Sequence, residues 1–493
     1  MSDVCLILEG TYPYVTGGVS TCVYQLIKNT PQINYSIVYI GAGDEQFKEY
    51  RYPVPDNVKL IKEISLFDYD IKGEVKNLNM EFDNELLKRF YRSNRQERVK
   101  LFDEIYENII QPHRKDFDPF DILQSKQAWD FLTMFYQQRF KDGDGPSFID
   151  YFYTWRFTHY PLFKILTTDI PRAKVYHSLC TGYAGLLGAV ANVKYSRPFI
   201  LTEHGIYSHE REIEIYQADW IYNSEDDLQA RRNLSVFKDW WIRLFHFMSE
   251  VSYDKAQTIT TLFEGNREKQ IRLGASEDKI QIIPNGIDYD SYAGLERRTS
   301  RDQLVISMVG RVVSIKDVKT FIKSLSVVKK KVSNLKVYII GPYDEEPEYY
   351  DECRNLVSFY ELEECIEFTG KVDVKDYYPQ SDLLVLSSIS EGQPMVILEA
   401  FAAGVPCVAT DVGACSELIL GRLEEDKAAG SAGKIVPFGK PEELGEAISE
   451  LLLDQEKLKK MGEVAKKRAS QYYREEKTIE AYEKLYQRYF SGL

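Results

Sequence analysis

The chain has 493 residues, of which 44% are hydrophobic and 28% are charged. This length exceeds one ordinary hydrophobic core and predicts two or three domains, and the composition is typical of a soluble globular protein. A net charge of −14 argues against a nucleic-acid-binding protein, because phosphate contacts need clustered Lys and Arg. No run approaches the roughly 18 apolar residues of a membrane-spanning helix.

The amino end and the cysteines indicate a cytoplasmic protein. The segment "MSDVCLILEG" carries an acidic residue instead of a basic stretch, so it predicts a first strand and not a signal peptide. The cysteines, Cys5 and Cys407 among them, form no Cys-x-x-Cys pair, and these two fall in apolar runs. We therefore expect reduced, buried thiols and a cytoplasmic location.

The N-terminal part predicts a parallel sheet with a long insertion. Apolar runs typical of strands lie at 4–10, 35–41, 173–178, 198–204 and 256–261. Between the second and third runs, at about 62–170, the pattern is mainly helical and rich in aromatic residues. The segment 280–288 then contains a Pro-Asn-Gly turn, which predicts a hinge.

Two features of this insertion have alternative explanations. Residues 86–100 are basic on an acidic protein, so they are either a docking surface for an anionic membrane or partner, or an ordinary solvated helix face. The aromatic residues belong either to a core or to a surface on which sugars stack. These residues are Trp129, Tyr151, Phe152, Tyr153 and Trp155.

The C-terminal part predicts a second sheet of the same kind. Its apolar runs lie at 304–310, 335–341, 366–370, 382–388 and 405–410, separated by helix-compatible segments. Near-continuous apolar strands that alternate with helices indicate a parallel sheet covered on both faces. The predicted fold class is therefore α/β, with two doubly wound, Rossmann-like domains, residues 1–283 and 284–474, that face a central cleft.

Four motifs follow predicted strands, at the sheet edge where open parallel α/β sheets bind their ligands. In the first, "GTYPYVTGGVSTCVYQL" (10–26), Gly17 and Gly18 would let backbone N–H groups approach a phosphate at the start of a helix. By itself the glycine pair is equally an ordinary strand–helix turn, because neither a Rossmann nor a Walker pattern is present.

The second motif, "GRVVSIKD" (310–317), contributes two cations. Arg311 and Lys316 can place a guanidinium fork and a point charge on one bound diphosphate. Such cations stabilise the negative charge that grows on a diphosphate leaving group. The alternative is a pair of ordinary surface cations.

The third motif, "SEGQPMVILEA" (390–400), contributes two carboxylates and a helix start. Glu391 lies on the loop, and Pro394 suits the first turn of the following helix. Glu399 lies one to two turns inside that helix. It either accepts hydrogen bonds from a ribose diol or pairs with a Lys or Arg, because a carboxylate in an apolar run needs a partner.

The fourth motif, "LTEHGIYSHERE" (201–212), places His204 just past a strand, where a core or surface histidine is the ordinary explanation. The spacing of His204 and His209 does not suit two metal ligands on one helix face, and Asp-x-Asp triplets are expected by chance in so acidic a chain, so we expect no metal. As a set, the four motifs predict one ligand, a nucleotide diphosphate-sugar.

In these segments the sequence resembles the retaining GT-B glycosyltransferases of family GT4, and more closely still the PelF group of Pel exopolysaccharide synthesis. The resemblance extends over nearly the whole chain. It rests on "EGTYPYVTGGVS", "LTEHGIYSHERE", "GRVVSIKDVKTFI", "GPYDEEPEYYDECR" and "SISEGQPMVILEAFAAGVPCVATDVGACSELI". The glutamate with its proline-started helix is general to the superfamily, whereas "TEHG" and "SISEGQP" are more specific.

The resemblance implies a role for each matched position. The diphosphate would be held by cations, glycines and helix-start amides, namely Arg311, Lys316, Gly17, Gly18, Met395 and Val396. The donor sugar would contact the loop residues Glu391, Gly392, Gln393 and Pro394. The base would lie near Val372. Glu399 would bind the ribose, and His204 would lie at the sugar and acceptor side. The implied catalytic residues are Glu391, His204, Arg311 and Lys316. Gln393 replaces an aromatic residue that is frequent in the superfamily, which leaves the donor sugar open.

The implied activity is transfer, with retention at the anomeric carbon, of a hexose or N-acetylhexosamine from a UDP-sugar to a growing exopolysaccharide, without a metal cofactor. Two other functions stay open: a non-catalytic nucleotide-sugar-binding subunit of a membrane polysaccharide synthase, and a sugar-nucleotide epimerase of the same fold. The family also implies membrane-embedded synthase partners that recruit the chain to the inner face of the cell membrane. It further implies a last helix, 475–493, that packs back on the N-terminal domain.

Overall fold

The computed structural model describes residues 1–43, 49–68, 84–111, 123–141, 145–217, 228–297 and 303–491. The chain forms two compact units. Unit 1 comprises Met1–Thr261, Arg267–Gln281 and Tyr482–Leu493, and unit 2 comprises Leu262–Asn266 and Ile282–Ala481. Within the described ranges, none of the helices combines the length and the apolar character needed to cross a bilayer.

Unit 1 is built on a seven-stranded sheet with the order β3-β2-β1-β4-β5-β6-β7. The strands are Ser2–Glu9 (β1), Tyr35–Gly41 (β2), Val58–Ser65 (β3), Ala173–Ser178 (β4), Phe199–Glu203 (β5), Thr258–Thr261 (β6) and Ile280–Ile282 (β7). The pairs from β3 across to β6 are parallel. β2 is buried along its whole length, as expected for a strand covered on both faces.

Helices cover this sheet and form the insertion. They are Gly18–Asn29, Asn84–Arg92, Arg95–Ile105, Lys126–Arg139, Phe148–Thr167, Tyr183–Tyr195, Tyr207–Gln217 and Leu228–Lys255, with a π-helical turn at Tyr106–Ile110. The helices Glu264–Arg272 and Glu475–Phe490 contribute their later residues to unit 1. There, the Tyr486 hydroxyl lies 2.6 Å from Nδ1 of His177, on β4.

Two strands of unit 1 are not predicted from the sequence. β3 overlaps the start of the predicted insertion. It lies at the edge of the sheet, and its sequence "VKLIKEIS" is accordingly too polar to be recognised as a buried strand. β7 has only three residues and lies in the segment for which only a hinge is predicted. Short or edge strands carry a weak periodicity signal, which explains both differences.

The contacts of the insertion bear on both of its alternative explanations. Within the basic segment 86–100, Arg89 pairs with two glutamates and Arg95 pairs with Glu250 at 2.7 Å, which favours a solvated, ion-paired helix face. Of the aromatic residues, Tyr151 and Trp155 are buried core residues. Trp129 and Tyr153, in contrast, are 48% and 56% exposed, so the core explanation does not apply to them.

Unit 2 is built on a six-stranded sheet with the order β10-β9-β8-β11-β12-β13. The strands are Leu304–Val309 (β8), Leu335–Ile340 (β9), Ile366–Gly370 (β10), Leu383–Leu386 (β11), Cys407–Thr410 (β12) and Gly433–Val436 (β13), all in parallel pairs. The helices are Tyr289–Ala293, Val318–Lys331, Pro347–Phe359, Met395–Ala402, Cys415–Leu420, Glu424–Ala428, Pro441–Leu453 and Gln455–Tyr472. β13, with four residues, is not predicted from the sequence.

Each sheet has a point where the strand order reverses, and the predicted doubly wound fold is confirmed in both units. In unit 1 this point lies between β1 and β4, and in unit 2 it lies between β8 and β11. Ligands of open α/β sheets bind beyond the carboxyl ends of the strands at such a point. The loops after β1, β8 and β11 carry the first three predicted motifs, and the fourth follows β5.

Candidate functional site

The centre of the candidate site in unit 2 is an ion pair between the loops that follow β8 and β11. Nζ of Lys316 lies 2.6 Å from Oε1 of Glu391, and the Ser388 hydroxyl donates to the same oxygen at 2.6 Å. The two charged side chains are largely shielded, with 22% and 11% of their surface exposed. The pair therefore places one cation and one carboxylate, both precisely oriented, at the reversal point of the sheet.

Hydrogen bonds to backbone carbonyl oxygens hold these two loops together. The Ser387 hydroxyl donates to the carbonyl oxygens of Lys316 and Asp317 at 3.0 and 2.9 Å. The Ile389 N–H donates to the carbonyl oxygen of Ile315 at 2.9 Å. Because both loops are anchored to buried strand ends, the separation of the Lys316 and Glu391 backbones is fixed by the sheet.

Arg311 lies on the same loop as Lys316 but has a different partner. Its Nη1 donates to both carboxylate oxygens of Glu345, at 2.5 and 2.7 Å, and both side chains are 52% exposed. The next residue, Glu346, accepts from the N–H of Ser314 at 2.9 Å. The acidic loop after β9 therefore holds the cationic loop in place, and Arg311 is available to a ligand only in competition with Glu345.

The helix Met395–Ala402 begins at this site. Pro394, predicted in the first turn, occupies the N-cap, so the helix starts one residue later than predicted. Helix geometry leaves the amides of Met395 and Val396 without an intrahelical acceptor. Gly413 packs against the loop that precedes this helix, at Glu391 and Gly392. Its φ of 56° is left-handed, and a Cβ there would lie 2.3 Å from the carbonyl oxygen of Glu391. Only glycine fits this close backbone approach.

Gln393 has a structural partner for its side chain. Its Oε1 accepts from the N–H of Asn285 at 2.8 Å, and its Nε2 donates to the carbonyl oxygen of the same residue at 2.9 Å. The amide group is buried and so engaged at both ends. A role of Gln393 toward a ligand would therefore use its backbone and not its side chain.

Glu399 lies in the helix beside two tyrosines. The Tyr378 hydroxyl donates to Oε2 of Glu399 at 3.0 Å, and the Tyr292 hydroxyl also hydrogen-bonds to the carboxylate. Burial raises the pKa of Glu399, and the two hydroxyls and the charge of Lys375 partly offset this rise. Among the described residues, Glu399 forms no salt bridge with a Lys or Arg, and its half-buried carboxylate accepts hydrogen bonds from two tyrosines.

The loop after β10 lies next to an aromatic pair. Gly370 ends the strand with a φ of 69°, and Val372 is 39% exposed. The rings of Tyr343 and Tyr350 stack with their centroids 4.4 Å apart, and a Cβ on Gly370 would lie 3.5 Å from the Tyr343 ring. A flat apolar surface of this kind can pack against a nucleotide base.

The glycine motif of unit 1 forms an open turn. Gly17 is the N-cap of the helix Gly18–Asn29, and a Cβ built on either glycine would meet no atom within 4 Å. The N–H of Gly17 lies 3.3 Å from the Tyr52 hydroxyl, which also contacts Thr21. Among the described residues, nothing crowds either glycine, and the approach of an anionic group to this helix start stays a prediction.

His204 follows β5 beside a buried carboxylate. Burial lowers the pKa of His204 to about 4, so its imidazole is neutral near pH 7. Its neighbour Glu203 accepts hydrogen bonds from Tyr253 at 2.6 Å, Gln270 at 2.9 Å and Thr181 at 3.2 Å. Glu203, whose pKa burial raises, therefore fixes the end of β5 from which His204 projects.

The structure brings some of the predicted residues together within a unit. Lys316, Glu391 and the helix start before Glu399 share the sheet edge of unit 2, whereas Gly17, Gly18 and His204 belong to unit 1. The sequence does not predict four of the hydrogen-bond and ion-pair partners. Ser388 and Glu345 lie in segments quoted above but without an assigned role, and Tyr378 and Tyr292 lie outside those segments. In the part of the chain that the structure describes, no three metal-ligating side chains cluster.

Comparisons with known proteins identify both halves of the chain. Residues 2–278 match the family model "Domain of unknown function (DUF3492)", and residues 296–468 match "Glycosyl transferases group 1". One relative is the N-acetyl-alpha-D-glucosaminyl L-malate synthase of Bacillus anthracis, 28% identical over 215 residues, which are 42% of this chain and 53% of that protein. The chain spans about half the length of the relatives that it matches.

Solved structures show the fold. Anabaena HepE, in complex with UDP, has a TM-score of 0.59 at 13% identity and matches over 100% of both chains. Sucrose-phosphate synthase from Thermosynechococcus elongatus also has a TM-score of 0.59, at 15% identity, over 99% of this chain and 100% of that one. The predicted GT-B fold class is confirmed. The chain belongs to the family of the domain of unknown function DUF3492 and carries a glycosyl transferases group 1 domain in its C-terminal part.

Proposed function

We propose that this chain is a retaining glycosyltransferase that uses a nucleotide-sugar donor. The observation that carries the proposal is the Lys316–Glu391 pair, which lies at 2.6 Å on the reversal point of the unit 2 sheet. A diphosphate placed there would meet the Lys316 ammonium and the free amides at the start of the helix Met395–Ala402. Glu391, on the loop, would face the sugar end, and Glu399, inside the helix, would face the ribose.

The proposed donor is a UDP-sugar. The complex of HepE with UDP, which has the same fold, supports a uridine nucleotide. The contacts of Glu399 support ribose binding, because a carboxylate held by two tyrosine hydroxyls keeps lone pairs for a diol. The exposed Val372 and the loop after β10 are the proposed contacts of the base.

The proposed reaction keeps the configuration of the anomeric carbon. The bond from that carbon to the diphosphate oxygen breaks, and the acceptor hydroxyl oxygen bonds to the carbon on the same face. The hydroxyl proton passes to the leaving phosphate oxygen, so no strong general acid is needed. Arg311 and Lys316 stabilise the diphosphate charge. The neutral imidazole of His204 would act on the sugar and acceptor side.

The proposed product is an exopolysaccharide of the Pel type. Support comes from the segments "LTEHGIYSHERE" and "SISEGQPMVILEA", which resemble the PelF group in particular. Transfer of a hexose or N-acetylhexosamine to a growing polymer, with membrane-embedded synthase partners, is part of this proposal.

The test is donor turnover by the purified full chain. UDP-glucose, UDP-N-acetylglucosamine, UDP-N-acetylgalactosamine and GDP-mannose are each incubated with and without an oligosaccharide acceptor, and nucleotide release and product anomers are followed by chromatography and NMR. We expect release of UDP and an α-linked product. Binding without release would indicate the non-catalytic subunit, and sugar interconversion without an acceptor would indicate the epimerase.

A further inference from the structure

Unit 1 contains a cavity of about 500 Å³ that is separate from the candidate functional site. Its lining residues come from five α-helices of this unit, among them Asn84–Arg92, Lys126–Arg139 and Leu228–Lys255, and from the π-helical turn Tyr106–Ile110. None of them is a residue of the site described above. Protein interiors contain few voids larger than a water molecule, whereas ligand sites typically measure roughly 300–1,000 Å³.

The wall of this cavity is aromatic and incompletely buried. Phe90, Phe131, Phe135, Phe163 and Phe247 line it, and each is half-buried instead of buried. The rings of Phe131 and Phe135 lie 4.6 Å apart, and those of Phe90 and Phe247 lie 5.4 Å apart. Because apolar cavities hold water poorly, this wall favours an apolar occupant.

Two buried polar groups of the wall, those of Tyr91 and His159, bond to each other. The Tyr91 hydroxyl lies 2.8 Å from Nε2 of His159, and Nδ1 of His159 lies 2.8 Å from the carbonyl oxygen of Trp155. Burial lowers the pKa of His159 to about 4, so the imidazole is neutral near pH 7. This neutral, bonded pair suits a hydrocarbon chain beside it better than a charged group. Among the described residues, Oε1 of Gln127 and Nε of Arg98 are buried in the same wall without a hydrogen-bond partner, so a polar part of the ligand would lie there.

Arginines line the cavity where it meets solvent. Arg139 and Arg243 are exposed and Arg98 is half-buried. Across the described ranges, none of these three forms an ion pair, whereas the nearby Arg95 is paired with Glu250. Arg98 interacts with the charge of Glu250 and donates to the carbonyl oxygen of Ser93 at 3.0 Å. On a chain of net charge −14, the two exposed cations of the lining, Arg139 and Arg243, favour an anionic group beside them.

We propose that this cavity binds an amphiphile, with one hydrocarbon chain against the aromatic wall and its anionic head group, a phosphate, at Arg139 and Arg243. The site lies wholly within unit 1 and does not depend on the proposed transferase activity. The amphiphile is either a free molecule or a lipid of a membrane, and the chemistry of recognition is the same for both.

The test measures binding of dodecyl phosphate to the full chain by isothermal titration calorimetry, below the micellar concentration. We expect one site per chain and affinity that rises about fourfold for each methylene added from octyl to dodecyl phosphate. Inorganic phosphate alone should not bind measurably. The double variant Arg139→Ala/Arg243→Ala should weaken dodecyl phosphate at least fivefold and leave dodecanol unaffected.

The second part of the test uses substitutions that fill the cavity with a larger side chain. Ala128→Phe and, from another helix, Leu244→Phe should each weaken dodecyl phosphate at least tenfold. The matched controls are Gln137→Phe, on an exposed position of the same helix as Ala128, and Arg92→Ala, an exposed arginine outside the cavity; both should bind as the unchanged chain does. Circular dichroism confirms folding, and two filling variants on different helices guard against misfolding of either.

Vesicles of phosphatidylglycerol distinguish the source of the amphiphile. Co-sedimentation that Ala128→Phe abolishes would identify a membrane lipid as the occupant, and binding of monomeric dodecyl phosphate alone would identify a free amphiphile. No binding of dodecyl phosphate, or binding that both folded filling variants leave unchanged, would overturn the proposal. Chain-length-independent affinity would overturn it as well, because it would locate the ligand on the surface arginines alone.

Discussion

The Lys316 ammonium and the Glu391 carboxylate of unit 2 form a shielded ion pair at 2.6 Å, and a third group, the Ser388 hydroxyl, bonds to the same carboxylate oxygen. This pairing orients both charges before a ligand arrives. A diphosphate that reaches Lys316 would share the cation with Glu391, so the ammonium serves the ligand without losing its position. In the proposed transferase we therefore expect Lys316, and not the more exposed Arg311, to contribute most to binding the diphosphate.

Lys316→Ala should lower donor turnover about 100- to 1,000-fold, because removal of one preorganised charge-stabilising donor costs that much in other enzymes. The chain should stay folded, since the loop is held by hydrogen bonds from the Ser387 hydroxyl to the backbone carbonyl oxygens of residues 316 and 317, which the substitution leaves in place. Steady-state nucleotide release measures the effect. Lys323→Ala, on an exposed position of the next helix, is the matched control. Turnover within twofold of the unchanged chain would remove Lys316 from the chemistry.

Glu399→Gln should weaken the binding of UDP about 10- to 100-fold, because a charge-assisted hydrogen bond contributes about 1.5–3 kcal/mol. Glutamine keeps the size of the side chain, so the Tyr378 environment is preserved. Calorimetry with UDP provides the measurement. Glu367→Gln, which alters a half-exposed carboxylate on β10, should have no effect. Equal affinities for UDP in all three proteins would contradict the ribose assignment.

The sequence predicts the backbone of this site better than its side-chain contacts. Lys316 and Glu391 could be assigned to one sheet edge because each follows a buried strand, and parallel strands end at the same edge. The partners Tyr378 and Glu345 could not be predicted, since they reach the site through tertiary packing, whereas Ser388 bonds to Glu391 within the same loop. Gln393 shows the limit most clearly, because its side chain bonds to the backbone of Asn285, which is distant in sequence.

The missing strands have a related explanation. The buried runs of β2 and β11 are evident as continuous apolar segments, whereas β3 alternates charged and apolar residues at a sheet edge. In the insertion, aromatic content predicts a core for Tyr151 and Trp155 but cannot separate them from the exposed Trp129. Whether an aromatic ring is buried depends on which helices pack together, and the sequence pattern alone does not fix that arrangement.

Glu345→Gln should strengthen UDP binding by up to about fivefold, because an exposed ion pair with Arg311 contributes about 0–1 kcal/mol that a ligand must otherwise displace. Arg311→Ala should weaken the same binding. Fluorescence or calorimetric titration with UDP checks both. Glu352→Gln, whose partner is Lys319, is the control for loss of an exposed acid. If neither Glu345→Gln nor Arg311→Ala changes the affinity, Arg311 does not contact the diphosphate.

Asp426→Ala should destabilise the chain by about 3–5 kcal/mol, because it leaves the guanidinium of Arg468 buried without its charge partner. The two groups are 2.6 Å apart, and their side chains are 1% and 4% exposed. Asp290→Ala, which breaks the exposed pair with Arg474, should cost about 0–1 kcal/mol. Urea unfolding compares the two variants. Similar losses would mean that burial does not govern the strength of these pairs.

His159→Phe should reduce the acid sensitivity of unit 1. Burial lowers the pKa of this histidine from 6.5 to about 4, so the unfolded chain binds a proton between these pH values that the folded chain excludes. The free energy of unfolding should therefore fall as the pH drops from 7 to 5, by about 2 kcal/mol for this one group. The variant should lose that part of the pH dependence, whereas His209→Phe, on the exposed surface, should keep it. Urea unfolding at both pH values, followed by tryptophan fluorescence, is suited to the measurement because Trp155 stacks on His159 at 4.9 Å. An unchanged difference between pH 7 and pH 5 in His159→Phe would show that His159 can be protonated in the folded chain.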